Sequence, residues 1–591
     1  MLPGRWWLAA CAVAAAAILV AGRETSLPVW LLATEVMATI LGLFLFGSFR
    51  YQIHKDPLTY GMLLVIVATF CGLGTSTWHV EIAEHGWWFW VGAHLLSYRG
   101  LDELIHADTM LFILGLTLFV SVIAQTRMLE GLTFVLLRRN RGIVLPTIIS
   151  VTAVVAAASG LLGGVSLIGL VIRTLVIILM LAAAPVAAIR YAVMVCTAIT
   201  TICGVWTAYG EPPNLIMKAN LYPHLGNGFF LLYGVPVALA SYLVVAWQLR
   251  GTLGGQHIDL DNLDVLDANA EDVRFLQAAR HGEVMTPIEL IEGHAGALGE
   301  AADEIVDRLR GGESLGIALI RSNVSEPMRR LLLSRYVSEE LADGLDNHYV
   351  LDNAGRYEQA FQAELAVDEV LEVMARMRQR AQKIGAFALV PFLAMLIVHA
   401  VYDAVPLFLA SFAGFAAALP GIVHIPKMRG LALREAALEY AEYYFLFPLF
   451  LSVTLLTSAG FFTSMQGLVL HGMAVLGPSH VAFAQFLGST FLSAVLDNNV
   501  VADFASRGLH GLDVTVLHLF AMAQIAGYAL GGCWTHIGCS QSVVAYAFIQ
   551  RDVDAHYTPV QWITDMTPVV LQLVVVMGLI IYVEGALLRW L

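Results

Sequence analysis

The stretches GVWTAYGEPPN (204–214) and GCWTHIGCSQS (532–542) share a glycine, a Trp-Thr pair and a second glycine, at a constant offset of 328 residues. Each stretch closes a long apolar segment. In the first stretch, two successive prolines carry no backbone N–H and therefore cannot continue a helix. We predict that both stretches interrupt membrane helices, with Gly210 and Gly538 in non-helical breaks at similar depth and near each other.

Two further pairs of stretches repeat at almost the same spacing. SGLLGGV (159–165) lies opposite SAVLDNN (493–499), and MLEGL (128–132) lies opposite SMQGL (464–468). A single Gly-Pro interruption of a membrane helix is usually a kink. The repetition favours broken helices that line a cavity, because unpaired backbone groups persist in lipid only where protein, water or an ion satisfies them.

The composition is that of a polytopic membrane protein. Hydrophobic residues make up 58% of the 591 residues and charged residues only 13%, whereas soluble domains carry about 25% charged residues. Apolar windows long enough to cross a bilayer recur about 12 to 14 times. The first window, 6–22, is typical of a signal peptide or of a first membrane helix, and a second span starting at Leu27 favours the uncleaved helix. The segment 86–97 is too short to cross and is interpreted as interfacial or re-entrant.

Charge divides the chain into three parts. We predict an N-terminal membrane half (1–250, with the first repeat from about residue 100), a hydrophilic loop (251–383) and a C-terminal membrane half (384–591). The loop holds 25 acidic and 13 basic residues, which is most of the net charge of −14. Its apolar spacing predicts helices, either as a solvated linker or as a regulatory or ligand-binding module. No basic face suited to nucleic acid is present.

Several of these motifs resemble, in the same order, those of the ion transporter superfamily, which holds D-type sodium/proton antiporters, arsenite carriers and citrate-metal symporters. The resemblance covers most of the apolar chain and excludes the loop. It implies an all-α polytopic membrane protein with two inverted repeats, each with a re-entrant hairpin and a broken helix. In one departure, Gly163 and Gly164 stand where the family often has an acid and an amide. The matching stretches are residues 106–142, YGEPPNLIM (209–217), SAVLDNNVVA (493–502) and GGCWTHIGCSQSVV (531–544).

Asp497 is the first candidate for the functional carboxylate. A charge at the bilayer centre costs at least about 2.5 to 3.5 kcal/mol, so an intramembrane acid is by default functional. The alternative is a structural hydrogen bond to a neighbouring helix. Asp497 could hold a proton or a cation but not readily both, and this exclusivity is sufficient for exchange.

Hard cations prefer oxygen ligands, and polar residues around the two breaks could supply them. No cofactor and no structural metal site is predicted. The predicted ion-binding residues are Asp497, Asn498, Asn499, Ser493, Thr535, Gly538, Ser540 and Ser542, and their first-half counterparts are Thr207, Gly210, Glu211 and Asn214.

Three further residues are candidates for proton relay. Asp503 lies on a different helix face from Asp497 and is either a second titrating group or a helix-end charge facing water. His106 and His536 could relay protons, although a single membrane histidine more often makes a structural hydrogen bond.

These features predict a secondary transporter that exchanges Na⁺ or Li⁺ for H⁺. One alternative is a coupled carrier of anions such as citrate or arsenite, and another is a membrane-bound sensor or enzyme acting through the loop. The expected partners are a small ion and the lipid bilayer, with a homodimer as a candidate assembly. The positive-inside rule places the short basic loops, and with them the long loop, in the cytoplasm of a bacterial inner membrane. The bases concerned are Arg127, Arg138, Arg139, Arg141, Lys427, Arg429 and Arg434.

Overall fold

The computed structural model describes residues 4–48, 55–73, 76–126, 128–182, 184–258, most of 286–332 and most of 367–587. It is 83% helical, and no strand occurs among the described residues. Arg127, the side chain of Lys427 and the loop segments 259–285 and 333–366 lie outside them.

The N-terminal half consists of helices joined by short turns. Two π-helical segments (Val91–Leu95 and Phe230–Gly234) and one 3-10 segment (Cys203–Trp206) continue helices in this half. The helices are α1 (Gly4–Glu24), α2 (Val29–Ser48), α3 (Lys55–Cys71), α4 (Thr77–His85), α5 (Trp87–Trp90), α6 (Tyr98–Ile105), α7 (Ala107–Gln125), α8 (Met128–Arg139), α9 (Val144–Ser159), α10 (Gly164–Leu181), α11 (Val186–Ile202), α12 (Pro212–Asn220), α13 (Asn227–Phe229) and α14 (Val235–Leu253).

The remaining helices belong to the loop and the C-terminal half. The loop helices are α15 (Pro287–Gly293), α16 (Ala295–Leu298), α17 (Ala301–Arg310) and α18 (Leu315–Arg321). The others are α19 (Val367–Val401), α20 (Phe408–Ala418) with a 3-10 turn (Leu419–Gly421), α21 (Pro426–Ala441), α22 (Leu446–Ser458), α23 (Phe461–Leu476), α24 (Pro478–Val495), α25 (Asn498–Arg507), α26 (Val514–Trp534), α27 (Ser540–Asp552) and α28 (Pro559–Leu587).

The protein is a multi-pass membrane protein. Among the described residues, eight helical segments are long and apolar enough to cross a membrane, and further apolar helices of 10 to 17 residues accompany them. The predicted 12 to 14 spans exceed these eight, because windows such as 143–158 form shorter helices (α9) that do not reach the length of a span. The segment 86–97 forms α5 and a π-helical turn, in agreement with its short length.

The loop is helical where it is described, as predicted. Helices α15 to α18 enclose a small apolar cluster of their own, centred on Ile291, Ile305 and Leu319. Helix α19 runs without interruption across the predicted boundary at 383/384, from the loop into a candidate membrane span. Gly385 and Pro391 lie inside this helix and do not end it.

Two features of this fold position the site. A helical pair joined by a short tip occurs in each half, formed by α9 and α10 and by α24 and α25. Each pair is followed by a long helix that is interrupted, α11 before α12 and α26 before α27. The helices α24 and α26 pack along each other, and α12 packs against α25 of the other half. The apolar core therefore continues across both halves.

Candidate functional site

The prediction of two helix breaks is confirmed. The chain is non-helical at 207–211, between the 3-10 segment and α12, and again at 535–539, between α26 and α27. Gly210 and Gly538 lie inside these breaks. Proline begins α12, where its missing N–H costs no intrahelical hydrogen bond.

The first break is held against the tip that joins α9 to α10. The Thr207 hydroxyl donates a short hydrogen bond to the Gly160 carbonyl, and its oxygen accepts the backbone N–H groups of Tyr209 (3.0 Å) and Gly210 (3.1 Å). A Cβ atom on Gly210 would lie 2.4 Å from the Ser159 carbonyl oxygen. One threonine hydroxyl thus satisfies two backbone N–H groups of the break. The glycine, which has no side chain, allows the break to lie close to the tip.

The second break repeats these contacts. The Thr535 hydroxyl donates to the Ala494 carbonyl (2.5 Å), and a Cβ atom on Gly538 would lie 2.7 Å from the Ser493 carbonyl oxygen. The Ser542 hydroxyl donates to the Gly532 carbonyl (2.9 Å).

The first half has a hydrogen bond at the positions that correspond to Ser542 and Gly532. Asn214 Nδ2 lies 3.3 Å from the Gly204 carbonyl oxygen and donates to it. Asn214 and Ser542 each follow their bonded glycine by ten residues, and each belongs to the helix that follows a break. The repeated motifs therefore produce one structural unit twice.

Hydrogen bonds join the two units to each other. Gln541 Nε2 donates to both carboxylate oxygens of Glu211, at 2.7 Å each. The Tyr528 hydroxyl donates to Asn214 Oδ1 at 2.7 Å. The predicted proximity of the two breaks is confirmed by these contacts, since Glu211 belongs to the first break and Gln541 to the first turn after the second.

Asp497 is the N-cap residue of α25. Its Oδ1 atom accepts the backbone N–H of Asn499 (2.9 Å) and the Asn499 side-chain amide (2.7 Å). Asn498 and Asn499 are buried, and Asn499 Oδ1 has no hydrogen-bond partner among the described residues. The tip therefore presents a carboxylate beside a buried amide oxygen that is suited to accept a ligand.

The helices that follow Glu211 and Asp497, α12 and α25, pack against each other. At their far ends, Asn220 Nδ2 of α12 donates to Asp503 Oδ1 and to the Ser506 hydroxyl of α25, both at 2.8 Å. At their near ends, Glu211 is the N-cap of α12 as Asp497 is of α25. The two carboxylates are close enough to interact electrostatically.

Asp503 is a paired internal acid, so its interpretation as a helix-end charge facing water is wrong. Its exposed fraction is 1%. Oδ1 accepts a hydrogen bond from Arg507 Nε (2.9 Å) and lies 3.3 Å from His106 Nε2. Arg507 also donates to the hydroxyls of Thr454 and Thr457. One turn of helix separates Asp503 from Arg507, and this spacing brings the two charges together.

The other predicted residues have more local roles. The Ser493 hydroxyl donates to the Tyr528 carbonyl at 2.8 Å. Ser540 begins α27 and is half-buried. His536 packs against the Tyr546 ring, with 4.8 Å between ring centroids, and its Nδ1 has no hydrogen-bond partner among the described residues. The structure joins two relay candidates, His106 and Asp503, and leaves His536 with an aromatic contact.

A small cavity lies beside the first break. Its volume of about 20 Å³ is enough for roughly one water molecule. Thr117, Tyr443 and Glu439 line it together with residues of the break and the tip. Tyr443 is buried and lies within electrostatic range of Glu211 and Asp497.

Sequence reasoning missed four residues of this site: Gln541, Tyr443, Asn220 and Arg507. Gln541 stands between two predicted ligands, Ser540 and Ser542, and its polarity inside an apolar segment was an available signal. Asn220 and Tyr443 reach the site through packing between distant parts of the chain, which no local pattern reports. In the described part of the chain, no group of three His, Cys, Asp or Glu side chains is arranged to hold a metal ion.

Comparison with models of known protein families found no match to this chain, and a search of curated proteins found no similar sequence.

Proposed function

We propose that the protein is a secondary transporter that exchanges Na⁺ or Li⁺ for H⁺ at the site formed by the two breaks and the Asp497 tip. One observation carries the proposal: Glu211 and Asp497 are the N-cap residues of two contacting helices from different halves, and their carboxylates lie within electrostatic range of each other. Buried acids are costly in a membrane protein, and they commonly mark ion pathways and proton relays.

The groups around the carboxylates suit a small hard cation. Asn499 offers a buried amide oxygen that has no hydrogen-bond partner within the described part of the chain, and the neighbouring breaks free backbone carbonyl groups. Such oxygens are the usual ligands of hard cations. A cation bound at Asp497 neutralises the same charge that a proton would neutralise, so the site carries one or the other. Coupled exchange follows when the loaded site faces each side of the membrane in turn.

The arrangement supports a repeat-built transporter. Equivalent threonine, glycine and amide or hydroxyl contacts occur in both halves, and repeat-built transporters place their substrate between discontinuous helices. We propose that the two halves are inverted repeats with re-entrant hairpins, of the kind found in the ion transporter superfamily, and that the short basic loops face the cytoplasm.

A carrier of anions such as citrate or arsenite is the second candidate, and one observation favours it. The N-termini of α10, α12, α25 and α27 lie at or beside the tips and breaks of the site, and helix N-termini attract negative charge. Glu211 and Asp497 are the N-cap residues of two of these helices, and each already brings a carboxylate to its N-terminus. A free anion would meet those charges, whereas a cation or proton would neutralise them. Arg507, which could attract an anion, is paired with Asp503.

Purified protein in sealed vesicles separates the two candidates. An imposed proton gradient should collapse on addition of Na⁺ or Li⁺, and vesicles without protein should hold the gradient. Uptake of labelled citrate or arsenite without any cation-dependent collapse would replace the proposed exchange with anion transport.

A further inference from the structure

The tips of the two helical pairs differ in chemistry at corresponding positions. Ser159 and Ser493 supply equivalent carbonyl contacts to the breaks, and the same offset of 334 residues places Gly163 and Gly164 opposite Asp497 and Asn498. The second tip therefore carries an acid and an amide, and the first carries no side chain at either position. The first half has no carboxylate on its tip, but its break contains Glu211.

The side chain of Glu211 occupies the space beside the empty tip. A Cβ atom on Gly164 would lie 2.1 Å from Glu211 Oε1 and 2.5 Å from Gln541 Nε2. Real Cβ atoms essentially never approach heavy atoms so closely. The carboxylate thus lies where a side chain of the first tip would begin.

The partner of Glu211 comes from the opposite half. Gln541 is 1% exposed and Glu211 is 3% exposed, and the amide of Gln541 contacts both carboxylate oxygens. In the second break, Cys539 stands at the position that corresponds to Glu211. Its thiol contacts the Ser542 hydroxyl at 3.3 Å, so this half has a small neutral group in its break and the acid on its tip.

We propose that Glu211 supplies the carboxylate that the first tip lacks, that Gly164, which corresponds to Asn498, leaves the space for it, and that Gln541 is the residue that positions it. The site then holds two carboxylates, one from each half, although only one tip is acidic. This inference rests on the proposed function and deepens it, because two carboxylates held at one place select a cationic substrate against an anionic one.

A double-mutant cycle tests the shared space. Gly164→Ala should raise the half-saturating Na⁺ concentration of the wild-type protein about 10-fold, because the added methyl group displaces the Glu211 carboxylate. Glu211→Asp, which shortens the side chain by one methylene, should also raise it. Adding Gly164→Ala to Glu211→Asp should then cost less than about 2-fold more, since contacting residues are not additive. Gly163→Ala is the matched control, because the nearest atom to its added Cβ is a Leu116 methyl carbon at 3.2 Å.

Gln541→Leu tests the positioning role. Removal of the amide should raise the half-saturating Na⁺ concentration about 10-fold and leave the maximal exchange rate within about 2-fold, whereas general damage to the fold would lower the maximal rate and the thermal unfolding temperature. Additive effects of Gly164→Ala and Glu211→Asp, or a normal half-saturating concentration in Gln541→Leu, would overturn the inference.

The outcome is distinguishable from failure of the proposed function. A wild-type protein that exchanges no cation refutes that function directly. The same cycle, measured as the thermal unfolding temperature of the purified variants, still reports whether positions 164 and 211 compete for one space. Additive shifts in unfolding temperature would then contradict the placement of Glu211, and non-additive shifts would support it.

Discussion

The two halves of the molecule stabilise an interrupted membrane helix through the same set of contacts. In each break a threonine binds a carbonyl of the neighbouring tip, through Thr207 to Gly160 and through Thr535 to Ala494. In each break, a glycine lies against a serine carbonyl of the tip. A polar side chain early in the helix after the break donates a hydrogen bond to the carbonyl of a glycine ten residues before it. An interrupted helix needs such partners in lipid, and each half supplies them internally.

The halves differ in where they carry charge. The second half has Asp497 on its tip and Cys539 in its break, and the first has glycine on its tip and Glu211 in its break. Asp503 and Arg507 add an internal ion pair to α25, and Gly169 stands at the position of the first half that corresponds to Asp503. The comparison teaches that the repeated contacts maintain the backbone, while the positions of the charged side chains differ between the halves.

The largest effect is expected when a methyl group is added to the glycine of either break. Gly210→Ala and Gly538→Ala would each place a Cβ atom 2.4 to 2.7 Å from a backbone carbonyl oxygen. Backbone atoms cannot move aside as side-chain ends do, so we expect both variants to lose most folded protein in size-exclusion chromatography. Gly226→Ala, which has nothing within 4 Å of its added Cβ, should behave as wild type. Two well-folded variants would break the comparison.

The internal ion pair of the second half should give the next largest effect. Arg507→Met leaves the Asp503 carboxylate buried without its cation, which typically destabilises a protein by about 3 to 5 kcal/mol. Arg507→Met combined with Asp503→Asn should recover part of that loss, because no unpaired charge remains. Thermal unfolding of the three variants measures this. If Asp503→Asn lowers the stability of the Arg507→Met protein as much as it lowers the stability of the wild-type protein, the two residues act independently.

A smaller effect is expected at the amide of the acidic tip. Asn498→Ala removes a neutral oxygen from the second tip, and the half-saturating cation concentration should rise about 10-fold, equivalent to about 1.4 kcal/mol. Exchange should persist, because both carboxylates remain. An unchanged half-saturating concentration in concentration series of vesicle exchange would remove Asn498 from the site.

Much of the fold was predictable from repeated local sequence. The breaks at Gly210 and Gly538 follow from identical glycine and Trp-Thr positions, and from the absence of a proline N–H in the first break. The predicted boundary near residue 383 follows a change in polarity, and α19 continues through that position. Polarity is a property of the environment of a helix and does not by itself end one.

The site was predictable only where its residues lie in the motifs. Asp497, Glu211 and Asn214 were candidates for that reason. The pairing of Glu211 with Gln541, 330 residues apart, depends on how the two halves pack, and so does the burial of Asp503 against Arg507, His106 and Asn220. Intramembrane acids are visible in a sequence, but their partners are decided by tertiary contacts.

The most direct test of the account is cation-dependent proton exchange by Asp497→Asn and Glu211→Gln in vesicles from pH 6 to 9, beside wild-type protein. Asp497→Asn retains the size and hydrogen-bonding capacity of the side chain but removes its charge and its proton. We predict that exchange by Asp497→Asn stops at every pH, and that Glu211→Gln raises the half-saturating cation concentration at least about 10-fold. Near-normal exchange by well-inserted Asp497→Asn protein would contradict the account, because the carboxylate at the tip would then be structural.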